Sequence, residues 1–569
     1  MPRPRSATLG PWPKGINNSS RDYVLPKGSA LDALNVDFSD EGHVIRRSGY
    51  SQTQAIDNGH SLRTIGSKTF IGLGTSLGVI TAMNPLSVTT LRSGLDLRPV
   101  SYAERGGEVW WSNGVQSGRC NADNTDHPWV PPTPADLTTV FSGAGTLAAG
   151  VYRIAITQAM SDGEESAASA IYSYTLASSG SIVVTLPAAS AGVDAFNVYC
   201  TVADGKVLQK YSTVAAATAS VSITDNPTGR NLRDRSFLQP MPPGDALCFH
   251  GGRLLVMAGE FIYYSQPYDY GVYDPAQNYL ALGATGILMA SVESGLFVVA
   301  DRTWFYAGSD IASAEPAERL PFGAAAGTVF EHPISTAPTV GWYSDEGIVL
   351  GAPDGSVTLP QRSAGFIAPV AASGSAWVRQ RDGTAHVIIS LDATSAYNKQ
   401  VSPDFTAARF RYDDDSTCVC MNFTNGATSR YANWFFNSYA LIDGDEYGCD
   451  AEGLRLLEGA DDQGGAIVST LDCGKVGYGS LQIKSPECVY VAGKSSDRLV
   501  VDIALPSGQT YSYPARTYSE TPAVMRHDGM KGLMNTRQPW FSTVVRNDNG
   551  SSMEVSSVEV VINESARKI

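Results

Sequence analysis

A short apolar or alternating run, a turn containing Gly, Asp or Asn, and a second short run recur along most of this chain, with no long stretch of i, i+3, i+4 apolar spacing between them. Such a pattern is the grammar of β-hairpins and confines the fold to the all-β class. The clearest example is GRLLVMAGEFIYYS at 252–265, where 254–257 form one strand, Ala258-Gly259-Glu260 turns the chain and 261–264 return it. Equivalent units read at 294–307, 342–355, 376–389 and 438–457, with earlier relatives at 68–80 and 106–113. The best helical candidate is SALDALN at 29–35, about two turns.

From about 245 to 460 the units repeat every ~40–50 residues, a period that with several strands per unit predicts a β-propeller of about six or seven blades. Single blades cannot bury both faces, so they must pack on one another. Two regions break the rhythm. Short alternating strands spaced ~10–15 residues apart over 137–228 predict an inserted fibronectin III/immunoglobulin-like sandwich. It is bracketed by the proline clusters HPWVPPTP (127–134) and QPMPPG (239–244), which mark boundaries. Beyond 466 a further set of strands predicts a C-terminal β-sandwich. The expected organisation is an N-terminal arm with the first propeller strands (1–50), blades (51–136), the inserted sandwich (137–228), blades (229–465) and the C-terminal sandwich (466–569).

With 41 Lys and Arg against 56 Asp and Glu, the net charge is −15. That balance argues against a nucleic-acid binder, which needs cations for phosphates, and it suits a surface that must not grip DNA. The opening MPRPRSATLGPWP lacks the apolar core of a signal peptide, and no run of 18 apolar residues predicts a membrane span.

The chemistry-bearing motifs are weak. Gly74-Thr75-Ser76-Leu77-Gly78 matches the G-x-S-x-G elbow, but a strand-like Val79-Ile80 follows where a helix is required, so a hairpin turn is expected. Gly143-Ala144-Gly145 with Gly150 lacks the βαβ setting of a dinucleotide loop. No His pair has metal-ligand spacing. Cys418, Cys420, Cys449, Cys473 and Cys488 could form a thiolate metal site; buried, reduced cysteines are the plainer reading. Asp413-Asp414-Asp415 and Asp461-Asp462 read as solvated acidic turns. Neither catalytic residues, cofactor nor metal are expected. The tyrosines of 263–273 are richer, because Tyr is enriched at interfaces. Tyr268, Tyr270 and Tyr273, on a Pro- and Asp-rich stretch, are candidate interface residues.

The segment GPWPKGINNSSRDYVLPKGSALDALNVDFSDEGHVIRRSGY (10–50) resembles the opening of tailed-bacteriophage tail proteins, through Leu34-Asn35-Val36-Asp37-Phe38, Gly42, Ile45, Arg46, Arg47, Gly49 and Tyr50. Ser48 stands where that family often has Pro. HGGRLLVMAGEFIYYSQPYDYGVYDPAQNYL (250–280), its continuation over 294–308 and NWFFNSYALIDGDEYGCDAEGLRLLEG (433–459) are similar to further phrases of the same proteins. These include the propeller nozzles of short tails and the tail-tip or baseplate components of long tails. The resemblance implies a structural, non-enzymatic virion protein at the distal end of a tail, assembled in the host bacterial cytoplasm. It would form a homo-oligomeric ring through which DNA passes without specific binding. Its implied partners are other tail proteins, tube or adaptor and fibres, with contact to the host surface. The polar N-terminal arm would reach a neighbour, making Trp12, Asn17 and Asn18 candidate contacts. The rival reading is a carbohydrate- or receptor-binding propeller, lectin or glycosidase-like.

Overall fold

The computed structural model describes residues 4–21, 24–161, 163–235, 237–332, 339–392, 418–476, 478, 482–528, 530 and 537–564. Among them the structure is all-β, a 3-10 turn at Pro360–Ala364 being the one helical element. Among the described residues no helix is long and apolar enough to cross a membrane. The chain divides into two compact units, Met1–Pro99 with Ala284–Ile569, and Val100–Gly283.

The first unit holds the expected hairpins, extended to blade-like four-stranded antiparallel sheets. They cover Gly59–Ile65, Lys68–Leu73, Ser76–Met83 and Leu86–Arg92; Leu288–Val292, Gly295–Val299, Thr303–Ala307 and Pro316–Leu320; and Phe330–Glu331, Val340–Ser344, Gly347–Gly351 and Val357–Thr358. Inner strands are buried on both faces (Gly295–Val299 throughout), so successive sheets share cores. Phe297, Val299 and Phe305 of one pack with Trp342 and Val349 of the next. A fourth sheet is composite: Ser438–Ile442, Asp445–Cys449 and Gly453–Leu456 receive Ser51–Ala55 as their last strand. Leu62 and Ile71 then pack on Ala440, Ile442 and Leu454, joining this sheet to the one that starts at Gly59.

The same unit contains two large sheets over one core. The nine-stranded sheet runs Gly374–Arg381, Thr384–Leu391, Cys418–Asn422, Thr428–Tyr431, Asp32–Leu34, Thr470–Val476, Phe541–Arg546, Val500–Ala504 and Thr510–Pro514. Its first four strands repeat the blade pattern. The six-stranded sheet runs Val36–Phe38, Val44–Arg46, Met553–Glu564, Lys484–Ser495 and Ala523–His527, with Pro4–Leu9 also on Met553–Glu564. Two expectations are corrected here. Residues 29–35 are not helical: Ala30 and Ala33 are fully buried where Asp32–Leu34 runs parallel to Thr428–Tyr431 and antiparallel to Thr470–Val476, so tertiary pairing overrides helix propensity. Residues 4–46 are not a free arm, because their strands lie inside both sheets. The strands beyond 466 lie in two sheets over one core, Thr470–Val476, Phe541–Arg546, Val500–Ala504 and Thr510–Pro514 in one and Met553–Glu564, Lys484–Ser495 and Ala523–His527 in the other, and the N-terminal strands extend both.

The second unit has two blade-like sheets. One comprises Ser101–Arg105, Glu108–Ser112, Ser117–Cys120 and Asp126–His127; the other, Ala246–His250, Arg253–Ala258, Phe261–Tyr264 and Tyr279–Ala281. Trp110 of the first packs with Leu247, Leu254 and Val256 of the second. Between them in sequence, seven strands form two sheets over one core containing Tyr152, Ile154, Ile182, Phe196 and Val198. Val140–Leu147, Gly180–Thr185 and Ser220–Ile223 make one sheet; Tyr172–Leu176, Gly150–Ala159, Ala195–Cys200 and Gln209–Ala215 make the other. The first strand thus pairs with the fourth, which departs from the ABED/CFG order of immunoglobulin constant domains.

Candidate functional site

The segment with the most recognisable sequence, 34–50, is built into a buried polar seam. Asn35 turns the chain at φ 55, a left-handed conformation that Asn tolerates. Its side chain bonds the Val468 carbonyl at 2.8 Å and accepts from the Arg47 Nε at 2.9 Å. Arg47 is fully buried. Its Nη1 donates to Asp462 Oδ1 at 2.8 Å and to the Ser48 carbonyl at 2.9 Å, and its Nη2 donates to Asp462 Oδ2 at 2.6 Å and the Ala432 carbonyl at 2.8 Å. All five guanidinium donors are therefore used. The Tyr431 and Trp434 rings lie 5.4 and 5.0 Å from the guanidinium, two cation–π contacts, and pack edge-to-face on each other at 5.4 Å.

Asp37, two residues along the same strand face, meets Arg379 at 2.7 Å and accepts from the Tyr431 hydroxyl. Burial pushes the Asp37 carboxyl up, but Arg379, His386 and the hydrogen bonds from Tyr431 and Cys420 together hold it below its ordinary value. Every charge in the seam is paired within it, which makes it a structural lock.

Trp12, Asn17 and Asn18 belong to the same locking system and not to an exposed contact. Trp12 is 2% exposed in the core of the two large sheets. Asn17 Nδ2 donates to the Ala364 carbonyl at 2.7 Å, and Asn18 brackets Ile367 with bonds of 3.0 and 2.6 Å, so both fasten the N-terminal segment to the 3-10 turn.

The tyrosine loop splits. Tyr273 is buried and Tyr270 packs edge-on to Trp110 and Phe249, so both serve the blade core. Tyr268 alone stands in solvent, 74% exposed. Phe237, which the pattern did not single out, is 80% exposed. Arg235, two residues before Phe237, is buried, and its Nη2 holds both oxygens of Asp269, next to Tyr268, at 2.7 and 2.6 Å while its Nη1 donates to the Glu165 carbonyl. Glu165 anchors this hub. Its carboxylate accepts from Asn197 and Tyr199 at 2.7 Å each, and from Thr157 and Arg230. Burial raises the Glu165 carboxyl, and these four partners outweigh that and keep it ionised below its usual range. A short loop from the inserted sandwich is thereby clamped to the chain that follows it.

In the first unit a pocket of about 300 Å³ opens between the end of Gly374–Arg381 and the hairpin of Ser438–Ile442 and Asp445–Cys449. Arg381, Leu441, Glu446, Leu456, Leu457 and Glu458 line it. Burial raises the Glu446 carboxyl against the opposing pull of Arg379 and Arg381. Its oxygens are taken by Trp377 Nε1 at 3.2 Å and Arg381 at 3.4 Å, so it orients the pocket wall.

The remaining motifs resolve structurally. Gly74 is in a hairpin turn at φ 57 between two strands, so Ser76 begins a strand. Gly143 and Gly145 lie in Val140–Leu147, where side chains would meet Ser181 and Gly180. Asp462 pairs with Arg47, and Asp461 accepts from the Gly464 amide at 2.6 Å; Asp413, Asp414 and Asp415 lie outside the described residues. Cys418 and Cys420 share one core, while Cys449 and Cys473 lie in two others. Among the described residues no group of three His, Cys, Asp or Glu could hold a metal ion.

No protein-family model matches the chain, and no curated protein matches it. Among solved structures it is similar to the computationally designed Ika8 protein, at 8% identity over 72% of this chain and 99% of that one, with a TM-score of 0.32. It is also similar to BBS1N in complex with ARL6DN, at 9% identity over 61% and 95% with a TM-score of 0.25. The Neurospora crassa Pan2 WD40 domain aligns at 6% identity over 63% and 88%, with a TM-score of 0.25. At such scores the fold rests on the sheets described above.

Proposed function

We propose that this chain is a structural subunit of a bacteriophage tail, placed at its distal end as nozzle, tail tip or baseplate. The observation that carries the reading is the fate of the segment by which it resembles such proteins. Asn35, Asp37, Arg47 and Gly49 are all spent on locking the chain's two ends together: Asn35, Asp37 and Arg47 bond residues some 400 positions away, and a Cβ at Gly49 would strike the Asp461 carbonyl. A recognisable phrase devoted to architecture fits a scaffold better than a catalyst.

The finer fold reading is a closed propeller. Its support is the composite sheet, in which Ser51–Ala55 completes the last blade immediately before the first blade begins at Gly59. Counting the first four strands of the nine-stranded sheet, the described residues of the first unit supply five blade-like meanders and those of the second supply two. A body of this kind, with net charge −15, suits a ring around a channel that DNA must traverse without adhering.

The test is location. Gold-labelled antibody against the protein, viewed on intact particles, should mark the tail end in a ring. Label on the head, or complete infectious particles formed without the protein, would sink the reading. Release of reducing ends from host polysaccharide by the pure protein would replace it with a carbohydrate-acting one.

A further inference from the structure

The sequence holds four Asn-Gly pairs, at 58–59, 113–114, 425–426 and 549–550. Asparagine is thermally labile, most of all before glycine, whose amide nitrogen can reach the asparagine Cγ with no Cβ in the way. The attack needs a side chain free to rotate, a glycine amide free of hydrogen bonds and a backbone able to swing. The fold grants these to the four pairs unequally.

Two pairs are held at every point. Asn113 is buried; its Nδ2 donates to Gln116 Oε1 at 2.8 Å, and its Oδ1 accepts from the Val115 and Gln116 amides at 3.1 and 2.7 Å. The Gly114 amide donates to Ser112 Oγ at 3.3 Å. Asn425 Nδ2 donates to the Ser39 and Asp40 carbonyls at 3.0 and 3.1 Å, and its Oδ1 accepts from the Ala427 amide at 2.8 Å. The Gly426 amide donates to the Asn422 carbonyl at 2.9 Å. A third pair is half-held. Asn58 is exposed, but Gly59 is buried, pairs with Leu73 as the first residue of its strand, and accepts at its carbonyl from Asn437 at 2.8 Å.

The fourth pair meets all three conditions. Asn549 is exposed, and with Gly550 it forms the centre of a turn closed by the Ser551 amide donating to the Asp548 carbonyl at 3.0 Å. Their φ values, 48 and 76, have the signs of a type I′ turn, which prefers Asn-Gly. Among the described residues neither the Asn549 side chain nor the Gly550 amide makes a hydrogen bond. The residues that suit the turn are therefore also the reactive ones.

We propose that Asn549 is a site of spontaneous deamidation in the folded protein. The Gly550 nitrogen bonds to Asn549 Cγ, and the side-chain nitrogen departs as ammonia, taking the amide proton with it. The product is a cyclic succinimide. Water then opens the ring, at the side-chain carbonyl to give isoaspartate's partner aspartate, or at the main-chain carbonyl to give isoaspartate. One water is consumed and one ammonia released, with no oxidant or reductant. Either product adds a negative charge to a chain already at −15. Aspartate keeps the turn, because Asp-Gly also suits type I′. Isoaspartate inserts a methylene into the main chain between Phe541–Arg546 and Met553–Glu564, and the Ser551–Asp548 bond no longer closes.

The test is a time course on the full chain in warm, mildly alkaline buffer, with and without urea, read by peptide mass mapping. Deamidation shows as the mass difference between NH and O. In the folded protein Asn549 should convert first and Asn58 behind it. Asn113 and Asn425 should lag Asn549 by at least about a hundredfold, because four hydrogen bonds must break at each before the attack. In urea all four should convert at similar rates. Asn549→Gly keeps a turn that accepts Gly-Gly and should remove nearly all of the methyl label that an isoaspartyl methyltransferase places on aged wild type. Three results would overturn the proposal: Asn549 unchanged in the folded chain after the urea sample has converted, the same ranking of the four in urea, or undiminished methyl labelling of Asn549→Gly.

Discussion

Replacing Arg47 with methionine should destabilise the first unit by about 3–5 kcal/mol, the cost of leaving one partner of a buried ion pair alone. The size follows from what would be stranded. The Asp462 side chain is 6% exposed and would keep its charge without its bidentate cation. The Ala432 carbonyl would lose the guanidinium bond it accepts at 2.8 Å. Methionine still packs beside the Tyr431 and Trp434 rings, so little of the loss is cavity. Arg47→Lys should cost less, about 1.5–3 kcal/mol, because an ammonium restores the charge but cannot fork onto both carboxylate oxygens. Combining Arg47→Met with Asp462→Leu should recover most of the loss, since apolar replacement of a whole buried pair is close to neutral. Two units need not unfold together, so the assay is hydrogen exchange read peptide by peptide. Protection should fall over 32–50 and 428–434 in Arg47→Met and return in the double variant, with 140–223 unaffected. Equal loss in single and double variants would refute the pairing argument. A loss under about 1 kcal/mol would refute the claim that the pair is buried.

Other expectations are simpler. Trp12→Ala should cost about 3–5 kcal/mol as a core deletion, whereas Tyr268→Ala should stay within about 0.5 kcal/mol; equal costs in thermal unfolding would contradict the opposite burial of the two rings. Gly49→Ala should cost about 1–3 kcal/mol or more by overpacking, because a Cβ would meet the Asp461 backbone, and an unchanged melting temperature would count against that close approach. Burial lowers the pKa of His386 and His527, so the unfolded chain binds protons that the folded chain refuses. Stability should fall as pH drops through the ordinary histidine range of about 6.5, by up to about 1.4 kcal/mol per pH unit for each unbalanced proton; replacing His386 with Gln should flatten the slope. Burial pushes Cys200, Cys418 and Cys449 up to about 12, so native protein should resist iodoacetamide at pH 8, and rapid labelling of these thiols would show them to be exposed.

What the sequence revealed was local, and what it hid was distant. Hairpins such as Arg253–Ala258 with Phe261–Tyr264 were legible because both strands and the turn lie within fifteen residues and carry their own alternation. Strands Asp32–Leu34, Val36–Phe38 and Val44–Arg46 were not, being three residues each, too short for any period to register. Ala33 favours a helix until Leu471, more than 400 residues away, pairs with it, and Ala30 bonds across to Gly15 and Asn17. Among the tyrosines, spacing could not separate Tyr268 from Tyr270 and Tyr273, because what distinguishes them is the packing of Trp110 and Phe249 beneath the loop. Phe237 and the Arg381 pocket had no sequence signal: the first is a lone aromatic, and the second is assembled from three segments.

The N-terminal fifty-five residues also constrain how the chain can reach its folded state. They place strands in three sheets: on Met553–Glu564, between Thr428–Tyr431 and Thr470–Val476, and on Gly453–Leu456. Each pairing spans some 400 residues or more, and closing loops of that length before any contact rewards it makes folding slow. The composite sheet and both large sheets therefore stay incomplete until the C-terminal strands are available, and their open edges would invite pairing with other chains. Ser51–Ala55 and Pro4–Leu9 cover the open edges of Gly453–Leu456 and Met553–Glu564 from within the same chain, so that these two strands become the outer ones in their place.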